Sequence, residues 1–179
     1  MNSFEDHTPR NPAEYPILGI LTFGPAHGYD VWRRLTEGIG SIWKLGRSHI
    51  YALLIRLERD GLVVHERIGQ ENLPARNTFR VTTKGREVFT KWFESPVRHV
   101  RDLRLEFLTK LWFAQQVGSE CERRVVECQL SACREKVQRL EAFRASSRSS
   151  IERRSLEFRL TILGAAFSWL QRLSVQDEL

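Results

Sequence analysis

Cysteine is scarce in this 179-residue chain. Cys121, Cys128 and Cys133 are spaced by seven and five, with no CxxC anywhere, which excludes the common zinc and dithiol redox motifs. An odd cysteine count without a signal peptide points to reduced thiols and a cytoplasmic location. No apolar run approaches the roughly 20 residues of a membrane helix, so no membrane partner is expected. The five histidines form no HExxH or clustered pattern, and no metal site is expected. A nucleophile motif, a phosphate-cradling glycine loop and a dinucleotide fingerprint are also missing. The chain therefore does not read as an enzyme, and neither catalytic residues nor a cofactor are expected. Internal repeats and low-complexity tracts are absent too.

What is present is a folded composition with a basic excess. Hydrophobic residues make up 41%, ordinary for a packed protein. Lys and Arg number 28 against 22 Asp and Glu, giving a net charge of +6. Such a balance fits an anionic partner such as nucleic acid but does not demand one. The excess is shared evenly between residues 1–93 and 94–179, so any recognition signal must come from local placement. Residues 1–12, polar and proline-bearing, read as a flexible arm. Ser95-Pro96 marks a joint, because proline discourages helix at the residue before it. This divides the remainder into domains at 13–94 and 95–179.

The first domain alternates short elements with turn signals. Ile17, Leu18, Ile20 and Leu21 form an apolar helix ended by Gly24-Pro25. A second helix runs from about His27 to Glu37, with Tyr29, Val31, Trp32 and Leu35 as its apolar surface. Residues 38–46 form a loop anchored by a buried Trp43. The third helix spans 47–60. Its Ile50, Leu53, Leu54 and Leu57 fall within about 100° of one another, the width of a core-facing stripe. Opposite lie Ser48, Ala52, Ile55 and Arg59, flanked by Tyr51 and Arg56.

That outer face suits DNA. Ser48 and Ala52 are small enough to let the backbone approach base edges. Ser48 and Tyr51 carry hydroxyls for bases or phosphates, and Lys44, Arg47 and Arg56 carry positive charge. Ile55 matches a thymine methyl. The helix start offers free N–H groups and a partial positive charge to phosphate. No acidic residue occurs from Lys44 to Leu57.

Residues 62–68 and 77–83 have strand character around a polar loop at 69–76. Val64 and Ile68 are expected on one face of the first strand and His65 and Arg67 on the other. Phe79 and Val81 point inward on the second. Together they form a β-hairpin wing over 62–82, with Arg67, Arg76 and Arg80 as basic groups and Asn77 as a neutral donor. Wings of this kind lie along the phosphate backbone or in the minor groove. Thr82 is placed to cap a helix carrying Val88, Phe89, Trp92 and Phe93. The order helix, helix, helix, strand, strand, helix defines a winged helix-turn-helix, whose third helix reads a major groove. The fold class expected is mainly α with a small β-hairpin, followed by an α-helical dimerisation domain.

Three stretches, ILGILTFGPAHGYDVWRRL, SHIYALLIRLERDGLV and FRVTTKGREVF, resemble the PadR family of transcriptional regulators in order and spacing over most of residues 15–93. The resemblance implies a bacterial winged-helix DNA-binding protein, usually a dimeric repressor, and in many members one that responds to small phenolic or drug-like molecules. It carries DNA contact onto Ser48, His49, Tyr51 and the wing arginines. The chain departs from the family where Ala52 replaces a frequent proline and Gly46 a frequent Ser or Thr cap. Both departures bear on the operator sequence, and neither on the fold.

The second domain reads as three helices, at about 97–116, 119–144 and 150–173. Val126, Leu130, Cys133, Val137 and Leu140 repeat at coiled-coil-like intervals. Leu156, Leu160, Leu163, Phe167 and Leu170 repeat likewise, with a second stripe of Ile162, Ala166, Trp169 and Leu173 alongside. A helix apolar on two sides needs two partners. These two seams are the expected homodimer interface, although they also suit an intramolecular three-helix core. Trp112 and Trp169 are candidates for stacking a small aromatic effector. The expectation is a dimeric repressor that binds a palindromic double-stranded DNA operator and is released by a small aromatic or drug-like effector. The alternative is a protein-interaction module on a winged-helix scaffold that reads no DNA.

Overall fold

Helix α1 (Glu14–Thr22) carries Pro16 in its first turn, where the missing N–H has no intrahelical partner to lose. Its Ile17, Leu18, Ile20 and Leu21 are buried. A two-residue strand β1 (Ala26–His27) and helix α2 (Gly28–Ile39) follow. Val31, Leu35 and Ile39 face inward from α2. Helix α3 (Arg47–Arg59) buries Ile50, Leu53, Leu54 and Leu57, each worth about 1.5–3 kcal/mol of burial. The computed structural model describes residues 10–70 and 73–176; at 67–70, 73–77 and 175–176 it describes the backbone alone.

Helix α3 ends through Gly61, at φ +71°. The Leu62 N–H donates to the Leu57 carbonyl at 2.9 Å and the Gly61 N–H to that of Glu58, a Schellman-type closure that favours glycine at its left-handed position. Strands β2 (Val63–Gln70) and β3 (Leu73–Val81) then pair antiparallel. The wing is more than a hairpin. β1 adds a third strand on the other side of β3, Ala26 facing Phe79 and His27 facing Thr78. The strands also run further into residues 69–76 than the polar composition suggests.

One face left open by the sequence is decided here, and one local expectation needs correction. Val63 is opposite Val81 and His65 opposite Phe79. Since Phe79 and Val81 are buried, Val63 shares their face and Val64 is turned out beside Arg80. The expected alternation of Val64 against His65 holds, and pairing with β3 turns the His65 side toward the core. Trp43 is half-buried, and Trp32 is the side chain that ties the preceding loop, its Nε1–H donating to the Leu45 carbonyl at 3.1 Å.

Helix α4 (Thr83–Glu94) begins as the sequence suggests: Thr82 Oγ1 accepts the Gly85 N–H at 3.0 Å. The same hydroxyl donates to the Gly61 carbonyl at 2.8 Å. Phe89 is buried, and Trp92 stacks on Tyr15 of α1 with ring centroids 4.9 Å apart. The chain divides between Phe93 and Glu94 into two compact units. The expected arm is shorter at its described edge. Arg10 binds Glu14 at 2.9 Å and Asp60 at 3.5 Å, and the Ala13 N–H donates to Asn11 Oδ1. Residues 1–9 lie outside the described residues.

The second unit opens with α5 (Val100–Asp102), a π-helical turn (Leu103–Phe107) and α6 (Leu108–Val117). Helices α7 (Ser119–Ser146) and α8 (Ser150–Gln176) follow. Helix α6 is buried on several sides, through Thr109, Lys110, Leu111, Phe113 and Ala114. Lys110 is 2% exposed; its Nζ donates to the Ser95 carbonyl at 2.6 Å and pairs with Glu106 at 2.8 Å. Burial lowers its pKa from the ordinary lysine value, and Glu106 opposes that shift. No described helix is long and apolar enough to cross a membrane.

Gly85 sets a testable limit on packing. A Cβ there would lie 2.1 Å from the Leu62 carbonyl oxygen, so the start of α4 must shift to admit one. Gly85→Ala is expected to lower stability by about 1–3 kcal/mol, measured by urea unfolding. An unchanged midpoint would mean that this contact is not tight.

Candidate nucleic-acid interface

The inner face of α3 is closed into the core, and its outer face is bare. Ser48, His49, Tyr51 and Ala52 are exposed, and Ile55 is 64% exposed. Gly46 supplies the extended N-cap residue and no side-chain cap, so the first-turn N–H groups have no side-chain acceptor. Lys44 and Arg47 are exposed beside this helix start. The Arg47 guanidinium lies 5.4 Å from the Trp32 ring centroid, a cation–π distance that steadies the charge without neutralising it. The Tyr51 ring covers Gly28, where a Cβ would come within 2.5 Å of it. Its orientation is therefore set by the start of α2.

The start of α2 joins this surface. Tyr29 is exposed and its ring lies 5.5 Å from that of Trp32. Tyr29, Trp32 and Arg47 thus form one continuous patch across α2 and α3. The residue-level reading placed Tyr29 on the apolar surface of its helix. The signal available in sequence was the His-Gly-Tyr opening of that helix.

Arg56 has a different place from the one expected. Its Nε lies 3.2 Å from Glu14 Oε1, and Glu14 is 0% exposed. A buried carboxylate needs compensating charge, and Arg10 and Arg56 supply it from either side. Arg56 therefore joins α3 to α1 by an ion pair through its buried Nε, while its side chain stays 38% exposed. On the wing, Arg80 is exposed and pairs with Glu66 at 2.9 Å, which reduces the charge it presents. The side chains of Arg67, Arg76 and Asn77 lie outside the described residues. His65 is hydrogen-bonded to Glu58 at the root of the wing.

In the second unit the expected seams have two fates. Val126, Cys133 and Leu140 of α7 and Leu156, Leu163 and Leu170 of α8 are buried within one chain. The two helices close on each other along these heptad rows, so these six are intramolecular core in place of the expected dimer contacts. Leu130, Val137, Leu160 and Phe167 are half-buried around that core. The large apolar side chains left in solvent are others: Val117 on α6, Phe143 on α7, and Ile151, Phe158 and Ile162 on α8, the last three forming a row. At 100° per residue these three lie within about 40° of each other, roughly 120° from the buried row. Trp169 packs edge-on against Phe107, centroids 5.9 Å apart, and Trp112 packs against Phe113. The Trp169 ring therefore serves the core rather than an open stacking site. Burial pushes the thiols of Cys121 and Cys133 up, which keeps them protonated and weakly nucleophilic at neutral pH. Among the described residues no His, Cys, Asp and Glu cluster has a metal-binding arrangement.

Three helices, a three-stranded sheet with a protruding β2–β3 pair, and a third helix with a bare outer face define a winged helix-turn-helix of the DNA-binding class. Residues 17–91 match the model of the Transcriptional regulator PadR-like family. Over that stretch the chain is similar to the PadR-like family. A curated relative, the negative transcriptional regulator PadR of Bacillus subtilis (strain 168), is 28% identical over 106 residues, which cover 56% of this chain and 55% of that protein. The match thus spans about half the relative's length. Among solved structures, Bacillus subtilis PadR in complex with operator DNA is 21% identical, covering 94% of this chain and 99% of its own, with a TM-score of 0.49. The same protein in complex with p-coumaric acid is 20% identical, covering 94% and 100%, with a TM-score of 0.45.

The position of Arg56 separates fold from recognition. Arg56→Met is expected to destabilise the protein by about 1–3 kcal/mol by removing one of the two cations on a buried carboxylate, with duplex affinity changed less than twofold at temperatures where the variant is folded. Parallel denaturant melts and DNA titrations check this. A large loss of DNA affinity with unchanged stability would return Arg56 to the interface.

Proposed function

We propose that the chain is a dimeric, cytoplasmic transcriptional repressor of bacterial type. It binds a palindromic double-stranded operator through α3 and the β2–β3 wing and is released by a small-molecule effector. The observation that carries this reading is the division of α3: four inner aliphatics anchor it, while Ser48, His49, Tyr51, Ala52 and Ile55 stand bare above an uncapped helix start. A helix presented in this way fits a major groove, with base edges met by the small and apolar residues and phosphates by Lys44, Arg47 and the first-turn N–H groups. Tyr29 extends the contact from α2, and Arg80 with Arg76 and Asn77 serves the wing. The exposed α8 row of Ile151, Phe158 and Ile162 is the proposed dimer surface, supplemented by the partly buried Leu160 and Phe167. Two copies present two recognition helices to half-sites about one DNA turn apart.

Fluorescence anisotropy tests the DNA reading. A labelled duplex from upstream of the chain's own gene and a scrambled duplex are titrated at two salt concentrations. Expected is tighter binding to the native duplex, with the difference retained at higher salt, and at least about a tenfold loss for Ser48→Glu, whose charge faces the phosphates. Equal, salt-sensitive binding to both duplexes, indifferent to Ser48→Glu, would sink the reading in favour of a scaffold that reads no sequence.

Sedimentation tests the assembly. The wild type is expected to sediment as a dimer and the Phe158→Glu/Ile162→Glu variant as a folded monomer, because the two carboxylates replace apolar contact with charge on the shared face. A dimer that survives both substitutions would place the interface elsewhere.

A further inference from the structure

A cleft in the second unit, about 490 Å³ in volume, has no part in the DNA interface. Its size is that of small-molecule sites. Helices α7 and α8 and the segment 96–100 form its walls, and Val97, Leu103, Leu140 and Leu163 give it an apolar floor. Four cations stand around it: Arg98, Lys136, Arg139 and Arg159. Among the described residues none of the four is in an ion pair. Lys136 Nζ donates to the Arg98 carbonyl and Arg139 Nε to that of Glu135 at 3.3 Å. Glu135 is the one acidic side chain lining the cleft.

The cleft is built and braced. Gln129, buried, accepts the Val97 N–H on Oε1 at 2.7 Å and donates from Nε2 to the Val97 carbonyl at 3.2 Å. This two-point clamp fastens the 96–100 wall to α7. A neighbouring pocket of about 300 Å³ shares Val100, Lys136, Leu140 and Arg159 and reaches Ile162, so the space continues past the cleft with Lys136 and Arg159 lining both parts.

We propose that this cleft binds an elongated amphipathic anion, such as a medium-chain carboxylate. Its head sits among Arg98, Lys136, Arg139 and Arg159, and its apolar body lies over Val97, Leu103, Leu140 and Leu163. Cations without carboxylate partners call for an anionic occupant, and guanidinium forks suit a carboxylate. The apolar floor, whose one buried amide is already satisfied, calls for an apolar body. A polyanion such as DNA offers no such body. The wall that the ligand touches is the chain that follows α4, so occupancy bears directly on the segment joining the two units. As the effector site of a regulator, the cleft rests on the function proposed above; as a binding site it does not.

The test is calorimetric titration of the full chain with decanoate and with 1-decanol, below their aggregation limits. Decanoate is expected to saturate one site per chain, with the alcohol at least about tenfold weaker for want of charge-assisted hydrogen bonds. The Arg139→Gln/Arg159→Gln variant, both positions exposed, is expected to lose at least about tenfold toward decanoate, keep its affinity for the alcohol and melt as the wild type does. Ala132→Trp, which fills the cleft from α7, is expected to block both. Equal binding of alcohol and carboxylate, an indifferent double variant, or no saturable decanoate binding would each overturn the proposal. Duplex anisotropy run in parallel separates the two readings. Decanoate binding without sequence-specific DNA binding removes the proposed function and leaves this site, and the reverse removes this site alone.

Discussion

The first unit depends on how a carboxylate can be kept out of water. Glu14 is wholly buried at the start of α1, and only the guanidinium groups of Arg10 and Arg56 make that tolerable. A buried charge without such partners would be neutralised or would disrupt the packing. The requirement draws three separate parts of the chain together: the segment before α1, α1 itself and the middle of α3. Arg10 also reaches Asp60 at the end of α3. The aliphatic face of α3 supplies most of the stabilisation, and this charged clamp favours one orientation. A recognition helix must hold such an orientation to present its outer residues in register with base edges.

The clamp also sorts the basic residues of the unit. Arg56 faces inward to Glu14, Arg80 is shared with Glu66, and Arg47 lies against Trp32. Lys44 and Arg47, beside an uncapped helix start, remain the local source of positive field. Net charge alone could not make this distinction, because arginines placed for structure and for DNA count equally in it. The second unit follows a parallel logic with apolar rows. Helices α7 and α8 close on each other through heptad positions, and the remaining row on α8 stays in solvent. Four of this unit's cations, Arg98, Lys136, Arg139 and Arg159, stand around a cleft and, among the described residues, are in no ion pair.

Much of this was legible in the residues. The 3.6-residue period of Ile50, Leu53, Leu54 and Leu57 announced which side of α3 faces the core. Thr82 three residues before Gly85 announced the cap of α4. Gly61-Leu62-Val63 marked the exit from α3. These are local signals, in which the residues that interact are close in sequence. Where the partner is distant, the reading stopped. Glu14 looked like an ordinary first-turn acid, and its claim on Arg56 spans 42 positions. Which face of β2 turns inward stayed open because Val64 is as apolar as Val63, and only pairing with β3 chooses between them.

By itself, then, the sequence determined the principal helices and the hairpin, their order, the inward face of α3 and the family resemblance over the first unit, because periodicity and capping are properties of neighbours along the chain. Tertiary structure decided which apolar row is covered by the same chain and which is left open, which arginines are engaged, and that four cations from three segments surround one cleft. Period tells which residues share a face. What covers that face depends on groups brought together from distant positions, and their charge and volume are balanced only when the chain has closed.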